Sequence, residues 1–341
     1  MLALRRIEPH RITNEQLFDY PDATVYQTRE WVSFVAECHG AEPVRAELKD
    51  GAATVGYFTG LIIRPLGLPI LGSPFPGWTT QYMGFCTQPG VPRAAALAAL
   101  PTFAFNDLGC VYFEVGDPKM TAADGLASSL DNEPFPTYET DLRQDESLIY
   151  ATMREDVRWS IRKAKRLGTV VAPPRDHDEF AASYYLQLQD VFRKHGLVPT
   201  YGADRVRSLI RWLYPTGHLL LLEARTADGL SIATGIYVGF RQHAQFWGNA
   251  SLRSGQKWRP NELMHWQAMR YWKAKGAEVF DWGGLGDYKE KFGCIRTAPP
   301  RFVKTRIPGI RLAKRLVRRA YEVRGLLAAL RTRARPRDRV T

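Results

Sequence analysis

The chain has 341 residues, 45% hydrophobic and 24% charged, which makes it too long for one average core and too apolar and evenly mixed for a disordered protein, so two lobes are expected. The net charge of +12 sits at one end: residues 301–341 hold fourteen Lys and Arg against Glu322 and Asp338, leaving residues 1–300 neutral. No run reaches the roughly 18 uncharged apolar residues that cross a bilayer, MLALRRIEPH lacks a signal-peptide pattern, and the four cysteines (Cys38, Cys86, Cys110, Cys294) form no CxxC pair or His cluster, so a cytoplasmic chain with free thiols and no metal is expected.

In the first lobe, Trp31, Phe34 and Val35 are spaced for a helix within ATVYQTREWVSFV (Ala23–Val35). AEPVRAELKDGAATVGYFTGLIIR alternates as two strands around Lys49-Asp50-Gly51. LGLPILGSPFPGWTTQYMGF, rich in Pro and Gly, reads as a loop lining something. VPRAAALAALPTFAFNDLG is a helix, and CVYFEVGDP a buried strand ending in a turn. PTYETDLRQDESLIYATMREDVRWSIRKAKRLG then joins the lobes through a helix capped by Asp145 or Ser147 and ended by Gly168.

The second lobe opens with a short strand, TVVAPP, and two helices, DHDEFAASYYLQLQDVFRKHG and DRVRSLIRWLYPTG. HLLLLEARTADGLSIATGIYVGFRQHAQFWGNAS reads as three strands with turns at Ala227-Asp228-Gly229 and Arg241-Gln242. A loop, the helix PNELMHWQAMRYWKAKGA with Pro260 in its first turn and Gly276 at its end, and the strand EVFDWGG follow. The plan of the first lobe is thereby repeated with one more helix. The expected domains are residues 1–150, a connecting basic helix over 151–168, residues 169–305, and a basic amphipathic helix and tail over 306–341.

This repeated order, together with QTREWVSF, MREDVRWSIRKAKRLG and PNELMHWQAMRYWKAKGAEVFDWGG leading into YKEKFG, resembles the Fem-type peptidoglycan aminoacyltransferases and the GNAT-like N-acyltransferases associated with bacterial polysaccharide synthesis. The resemblance covers residues from about 20 to 305. It implies an α/β (α+β) fold of two tandem GNAT-like (acyl-CoA N-acyltransferase fold) domains with mixed, largely antiparallel sheets. It further implies amide formation on an amine of a cell-envelope, polysaccharide or nucleotide-sugar precursor. The co-substrate would be acyl-CoA or aminoacyl-tRNA, with no tightly bound cofactor.

The resemblance also nominates residues. Fem-type enzymes carry a lysine in a Phe-Lys-x-x-Phe-Gly phrase near the reacting carbonyl, and Tyr288-Lys289-Glu290-Lys291-Phe292-Gly293 is similar. Lys289 is therefore the expected oxyanion-stabilising cation, because acyl transfer builds negative charge on the carbonyl oxygen. Read without the resemblance, it is a solvated loop lysine. Asp281 is the expected general base or its orienter, or else a cap on the Gly283-Gly284 turn. Arg158 and Arg162, spaced i, i+4 on a basic helix, suit an anionic ligand as well as a solvated face. Glu114, at a strand end of the first lobe, and Trp31 complete the acceptor-side set.

The loop from Asn249 to Asn261, with Arg253, Lys257 and Arg259, precedes a helix start where free N–H groups favour anions. It lacks the full Arg-x-x-Gly-x-Gly/Ala phrase of a pyrophosphate loop. Asn249, Arg253, Lys257, Arg259, Asn261 and the flanking Trp247 are the expected donor-binding residues. The missing phrase points away from CoA, and the absence of a long heptad-rich insertion points toward it. No Ser-His-Asp or Cys-His signature is present, which favours direct attack by the amine over covalent catalysis.

From Ile310 to Leu330 apolar residues recur at helical spacing opposite Arg311, Arg315, Arg318 and Arg319. Such a basic helix suits the anionic inner face of the membrane, tRNA phosphates, or packing on the body. The rival reading from another class is a non-catalytic nucleic-acid-binding or scaffold protein of degenerate acyltransferase fold.

Overall fold

The computed structural model describes residues 1–194 and 196–309. The basic helix expected over 310–330 lies outside the described residues. The first part of the chain runs β1 (Leu2–Ile7), α1 (Asn14–Leu17), α2 (Arg29–His39), β2 (Glu42–Asp50), β3 (Ala53–Ile63), β4 (Ile70–Ser73), β5 (Phe85–Thr87), α3 (Arg93–Thr102), β6 (Tyr112–Gly116) and β7 (Asp131–Asn132). The remainder runs β8 (Thr137–Asp141), α4 (Glu146–Thr152), α5 (Glu155–Arg166), β9 (Val170–Ala172), α6 (His177–Lys194), α7 (Ala203–Leu213), β10 (Leu219–Arg225), β11 (Ser231–Phe240), β12 (His243–Ser251), α8 (Pro260–Ala274), β13 (Val279–Asp281), α9 (Asp287–Glu290), β14 (Ile295–Thr297) and β15 (Arg301–Thr305).

Two sheets form. One has the order β1-β2-β3-β4-β6-β15-β7 with β5 on β3, and the other β14-β8-β13-β12-β11-β10-β9. Each is antiparallel except for one pair, β4 with β6 and β12 with β13. The repeated plan read from the sequence is therefore real. The linear boundaries at 150 and 305 are not followed by the strands. β8, placed in the first lobe by its position, pairs with β13, and β15, placed in the second, pairs with β6. Each exchange covers the open edge of a short terminal strand, whose unpaired N–H and C=O groups would otherwise invite association.

Local chemistry explains the helices that matter for the site. Thr28 accepts from the N–H of Trp31 at the start of α2, and Gly40 ends it with φ 57°. The expected connecting helix is in fact two, α4 and α5. Met153 leaves helical geometry, and the N–H of Arg154 donates instead to the carbonyl of Lys291 at 2.9 Å. α5 then buries Val157, Ser160, Ile161 and Ala164, one face at helical spacing, and turns its cations outward.

The lobes share a core. Trp31, Phe34 and Val35 of α2 belong to the same buried cluster as Val206, Leu209 and Leu213 of α7. Glu37 receives hydrogen bonds from Ser208 Oγ and Trp212 Nε1, both at 2.9 Å, and Arg205 donates to the carbonyl of Trp78 at 2.7 Å. Among the described residues no helix is long and apolar enough to cross a membrane.

Candidate active site

β12 and β13 run parallel for only three residue pairs, His243 with Val279 through Gln245 with Asp281. β12 then continues to Ser251 while the chain after β13 turns away through Gly283 (φ 66°) and Gly284 (φ 86°). Past Gln245 no strand among the described residues pairs with that edge of β12, and beyond the close approach of Gly283 to Phe246 a gap opens between residues 249–251 and Tyr288, Lys291 and Phe292. A β-bulge sharpens the divergence: Ile236 faces Gly248 and Tyr237 faces Phe246, so Trp247 is an extra residue. Bulges of this kind bend a strand and re-aim its groups beside active sites.

A cavity of about 280 Å³ lies at the open end of this gap. Asn249 and Ser251 of β12 and Asn261 and Glu262 of α8 form its polar side, and His265, Tyr288 and Phe292 its aromatic floor. Asn249 Nδ2 donates to Asn261 Oδ1 at 2.9 Å, and Asn261 Nδ2 to Ser251 Oγ at 3.3 Å, so the two asparagines expected to bind the donor are joined across the cavity wall. His265 is 1% exposed, lies against Phe246, Trp282 and Phe292, and has Nδ1 2.9 Å from the Tyr237 hydroxyl.

Burial pushes the imidazole of His265 down to about 3, with the nearby Lys289 ammonium adding to the effect, so the ring is neutral. The folded value lies below the unfolded 6.5, so the unfolded chain binds the proton first, and stability is lost as pH falls from about 6.5 toward 3. Wild type should lose about 3 kcal/mol more than His265→Phe between pH 7 and pH 4. Urea unfolding of both proteins at the two pH values reads this difference, and equal losses would refute it.

The geometry corrects the expectation for Lys289. Its side chain is buried, and Nζ donates to the carbonyls of Trp282 (2.7 Å), Gly283 (3.1 Å) and Gly284 (3.0 Å). An ammonium has three donors, so none is left for an acyl oxygen. Lys289 pins the glycine turn. Desolvation pulls its pKa down to about 8, partly offset by Asp281. Asp281 is fully buried and accepts from Tyr82 Oη (3.0 Å), Thr137 Oγ1 (2.7 Å) and the N–H of Gly283 (2.7 Å). It caps the turn, as one of its two readings held, and ties β13 to the first lobe.

The other candidates separate. Arg259 lies with its guanidinium 5.5 Å from the Trp159 ring, and Lys257 Nζ lies 4.1 Å from that of Trp258. Arg253 is exposed, and its backbone N–H donates to Asp190 at 2.7 Å. Gly255 serves packing, since a Cβ there would lie 2.8 Å from Ile232 Cβ. Trp247 points away from the cavity, toward Tyr201 at 5.7 Å, and belongs to the shared core of the two lobes. Arg158 and Arg162 do share a face, but both bind Glu155, at 2.8 and 2.5 Å, outside the cavity lining. Trp31 is wholly buried with Nε1 on Thr80 Oγ1 at 3.1 Å, a core residue that no ligand reaches in this conformation. Glu114 is buried in the first sheet and receives the Tyr112 hydroxyl at 2.7 Å. Among the described residues no group of three His, Cys, Asp or Glu is placed to hold a metal.

A parting parallel pair, a bulge beside the gap and a helix start at its far end thus define the candidate site. Residues 151–291 match the family model described as an acetyltransferase (GNAT) domain. Over that segment the expected GNAT-like fold is borne out. The whole fold resembles FemX, at 12% identity and TM-score 0.73, covering 92% of this chain and 99% of that one. A tandem GNAT protein from the clavulanic acid biosynthesis pathway is similar at 11% identity and TM-score 0.51, covering 90% and 99%. L-PGS from Bacillus licheniformis has the same identity and TM-score, with 88% and 97% covered. At these identities the likeness is one of fold. No curated protein matches the sequence.

Around this cavity sequence reasoning missed the aromatic floor and Glu262, and beside the glycine turn it missed Thr137, which receives the N–H of Gly284.

Proposed function

We propose that this protein is an N-acyltransferase that transfers an acyl group from acyl-CoA or aminoacyl-tRNA to an amine of a cell-envelope or nucleotide-sugar precursor. The observation that carries the reading is the parting of β12 and β13 into a cavity closed by the start of α8. Past Gln245 the edge of β12 has no strand partner among the described residues, and backbone N–H groups on such an edge suit the developing oxyanion of a tetrahedral intermediate. The amine forms the new C–N bond while the bond from the acyl carbon to the donor's sulfur or oxygen breaks, and the amine's proton leaves to solvent or to the leaving group. Lys289 and Asp281 act by holding the turn that forms the other wall.

The carboxamide pair Asn249 and Asn261 orients the donor in this reading, which is tested directly. Purified full-length protein, given acetyl-CoA or charged tRNA with amine-bearing precursors, should yield an amide product by mass spectrometry. Asn261→Ala should lower its kcat/KM about tenfold or more. No product with either donor class would overturn the proposal.

A further inference from the structure

We infer that the end of the first sheet that carries Leu66 and Leu68 docks on an anionic lipid surface, with both leucines entering the boundary of the acyl chains. The inference stands apart from the acyltransferase reading and uses none of its residues. Six strand termini meet at that end of the sheet: β1 finishes and β2 begins there, β3 finishes and β4 begins, and β6 begins where β15 finishes. Residues 64–69 connect β3 to β4 at this end. In that turn Leu66 is fully exposed and Leu68 is 42% exposed.

A single leucine in water is ordinary on a protein surface. Leu66 differs first in its backbone, which is left-handed (φ 52°, ψ 31°). Gly67 beside it adopts a positive φ freely and a leucine does not, so the turn holds this side chain out at a cost in strain. It also has apolar company. The N–H of Val111 donates to the carbonyl of Pro69 at 2.9 Å, and the N–H of Arg306 to the carbonyl of Val111 at 2.8 Å. The backbones of Leu68 and Ile307 therefore flank one row of three strands, about 10 Å across. Ile307 is exposed, and Phe105 and Leu108 in the segment before β6 are half-buried.

The charge around this patch suits an anionic surface. Arg6 and Arg64 share the carboxylate of Glu42, each at 2.6 Å, which leaves that trio at +1. Arg306 is exposed and held by neutral groups, the carbonyl of Phe105 at 2.9 Å and Asn106 Oδ1 at 3.4 Å. Asp107 adds one exposed acid, and Glu8 and Arg11 just past β1 cancel. The chain continues from Gly309 at this same end, and residues 310–341 hold eleven Lys and Arg against Glu322 and Asp338, a net +9. Each cation near an anionic membrane strengthens binding about fivefold, and each leucine gains by leaving water for hydrocarbon. A nucleic acid would use the same cations and has no use for the leucines.

The test is co-sedimentation of full-length protein with vesicles of phosphatidylcholine and phosphatidylglycerol, and separately with vesicles of phosphatidylcholine alone. Wild type should bind the first and not the second. Replacing both leucines, Leu66→Ser with Leu68→Ser, should weaken that binding about tenfold or more, whereas Leu66→Phe should keep it. The difference between wild type and the double variant should persist at high salt, where the contribution of the cations fades. Leu186→Ser, at another exposed leucine on α6, should bind as wild type does, and an unchanged midpoint in urea shows that each variant folds. Wild type that ignores phosphatidylglycerol would overturn the inference. So would a double variant that binds as tightly as wild type, since charge alone would then make the contact, as it would with a nucleic acid. An equal loss in Leu186→Ser would overturn it too, because the effect would not belong to this end of the sheet.

Discussion

Lys289→Met should lower the stability of the full chain by about 3 kcal/mol and free the turn at residues 282–284. The wild-type ammonium gives each of three carbonyls a charge-assisted hydrogen bond, and removing the donor leaves three buried acceptors that each cost about 1 kcal/mol or more. Relief of the lysine's own desolvation offsets part of that loss, which keeps the expected value below the sum of the three bonds at their strongest. Hydrogen exchange of the amides of Gly283 and Gly284 is the decisive readout, because both donate into the structure that Lys289 holds, to Asp281 and to Thr137. Exchange should quicken as amide formation falls. If Lys289→Met instead keeps the amides protected and loses only kcat, the ammonium acts on the acyl oxygen, as the YKEKFG phrase first implied.

That contrast shows where the sequence stopped informing. The phrase located a lysine that proves to be buried, but hydrogen-bonding partners five to seven residues upstream in the same loop leave no trace in spacing or composition. The fold was more legible. Pro260 and Gly276 bracketed α8, Gly40 ended α2, and the alternation around Asp50 and Gly51 marked a hairpin, because caps and turns are local chemistry written in single residues. The destinations of β8 and β15 were not, since a strand of five residues carries no record of which edge it will cover. Nor did the continuous basic run from Arg154 to Arg166 announce a break at Met153, which depends on a contact with Lys291, far along the chain.

The site divides along the same line. Asn249 and Asn261 were found because both flank a loop before a helix start, and they do meet. Trp247 was placed in the same group, yet the bulge and the alternation of β12 turn it to the opposite face of the sheet. Arg158 and Arg162 obeyed their i, i+4 spacing, and that same geometry delivered both to Glu155. A helical wheel gives relative directions on one element, and the choice of face facing the cavity is made by the packing of Val157 and Ile161 against α8 and the sheet.

Asp281→Ala is expected to be the most disruptive single change outside the hydrophobic core, costing about 4 kcal/mol. It would strand three donors at once: the Tyr82 hydroxyl from the first lobe, the Thr137 hydroxyl from the exchanged strand β8, and the N–H of Gly283 in the turn. Each is buried or nearly so, and each lost bond to a carboxylate is worth about 1.5 kcal/mol or more. Burial and the Asp281 charge already hold the Tyr82 phenol well above its ordinary value, so that hydroxyl cannot compensate by ionising. Tyr82→Phe removes only the inter-lobe member and should cost about 1.5 kcal/mol. The double variant should lose less than the sum of the two single losses, because the residues share one bond. Urea unfolding of the four proteins closes this cycle. A coupling near zero would mean that the lobes are held by the α2 and α7 core alone, with Asp281 serving only its own turn. A coupling of about 1 kcal/mol or more would make Asp281 the residue through which the first lobe fixes the wall of the gap, so that Tyr82→Phe would lower kcat although Tyr82 does not line the cavity.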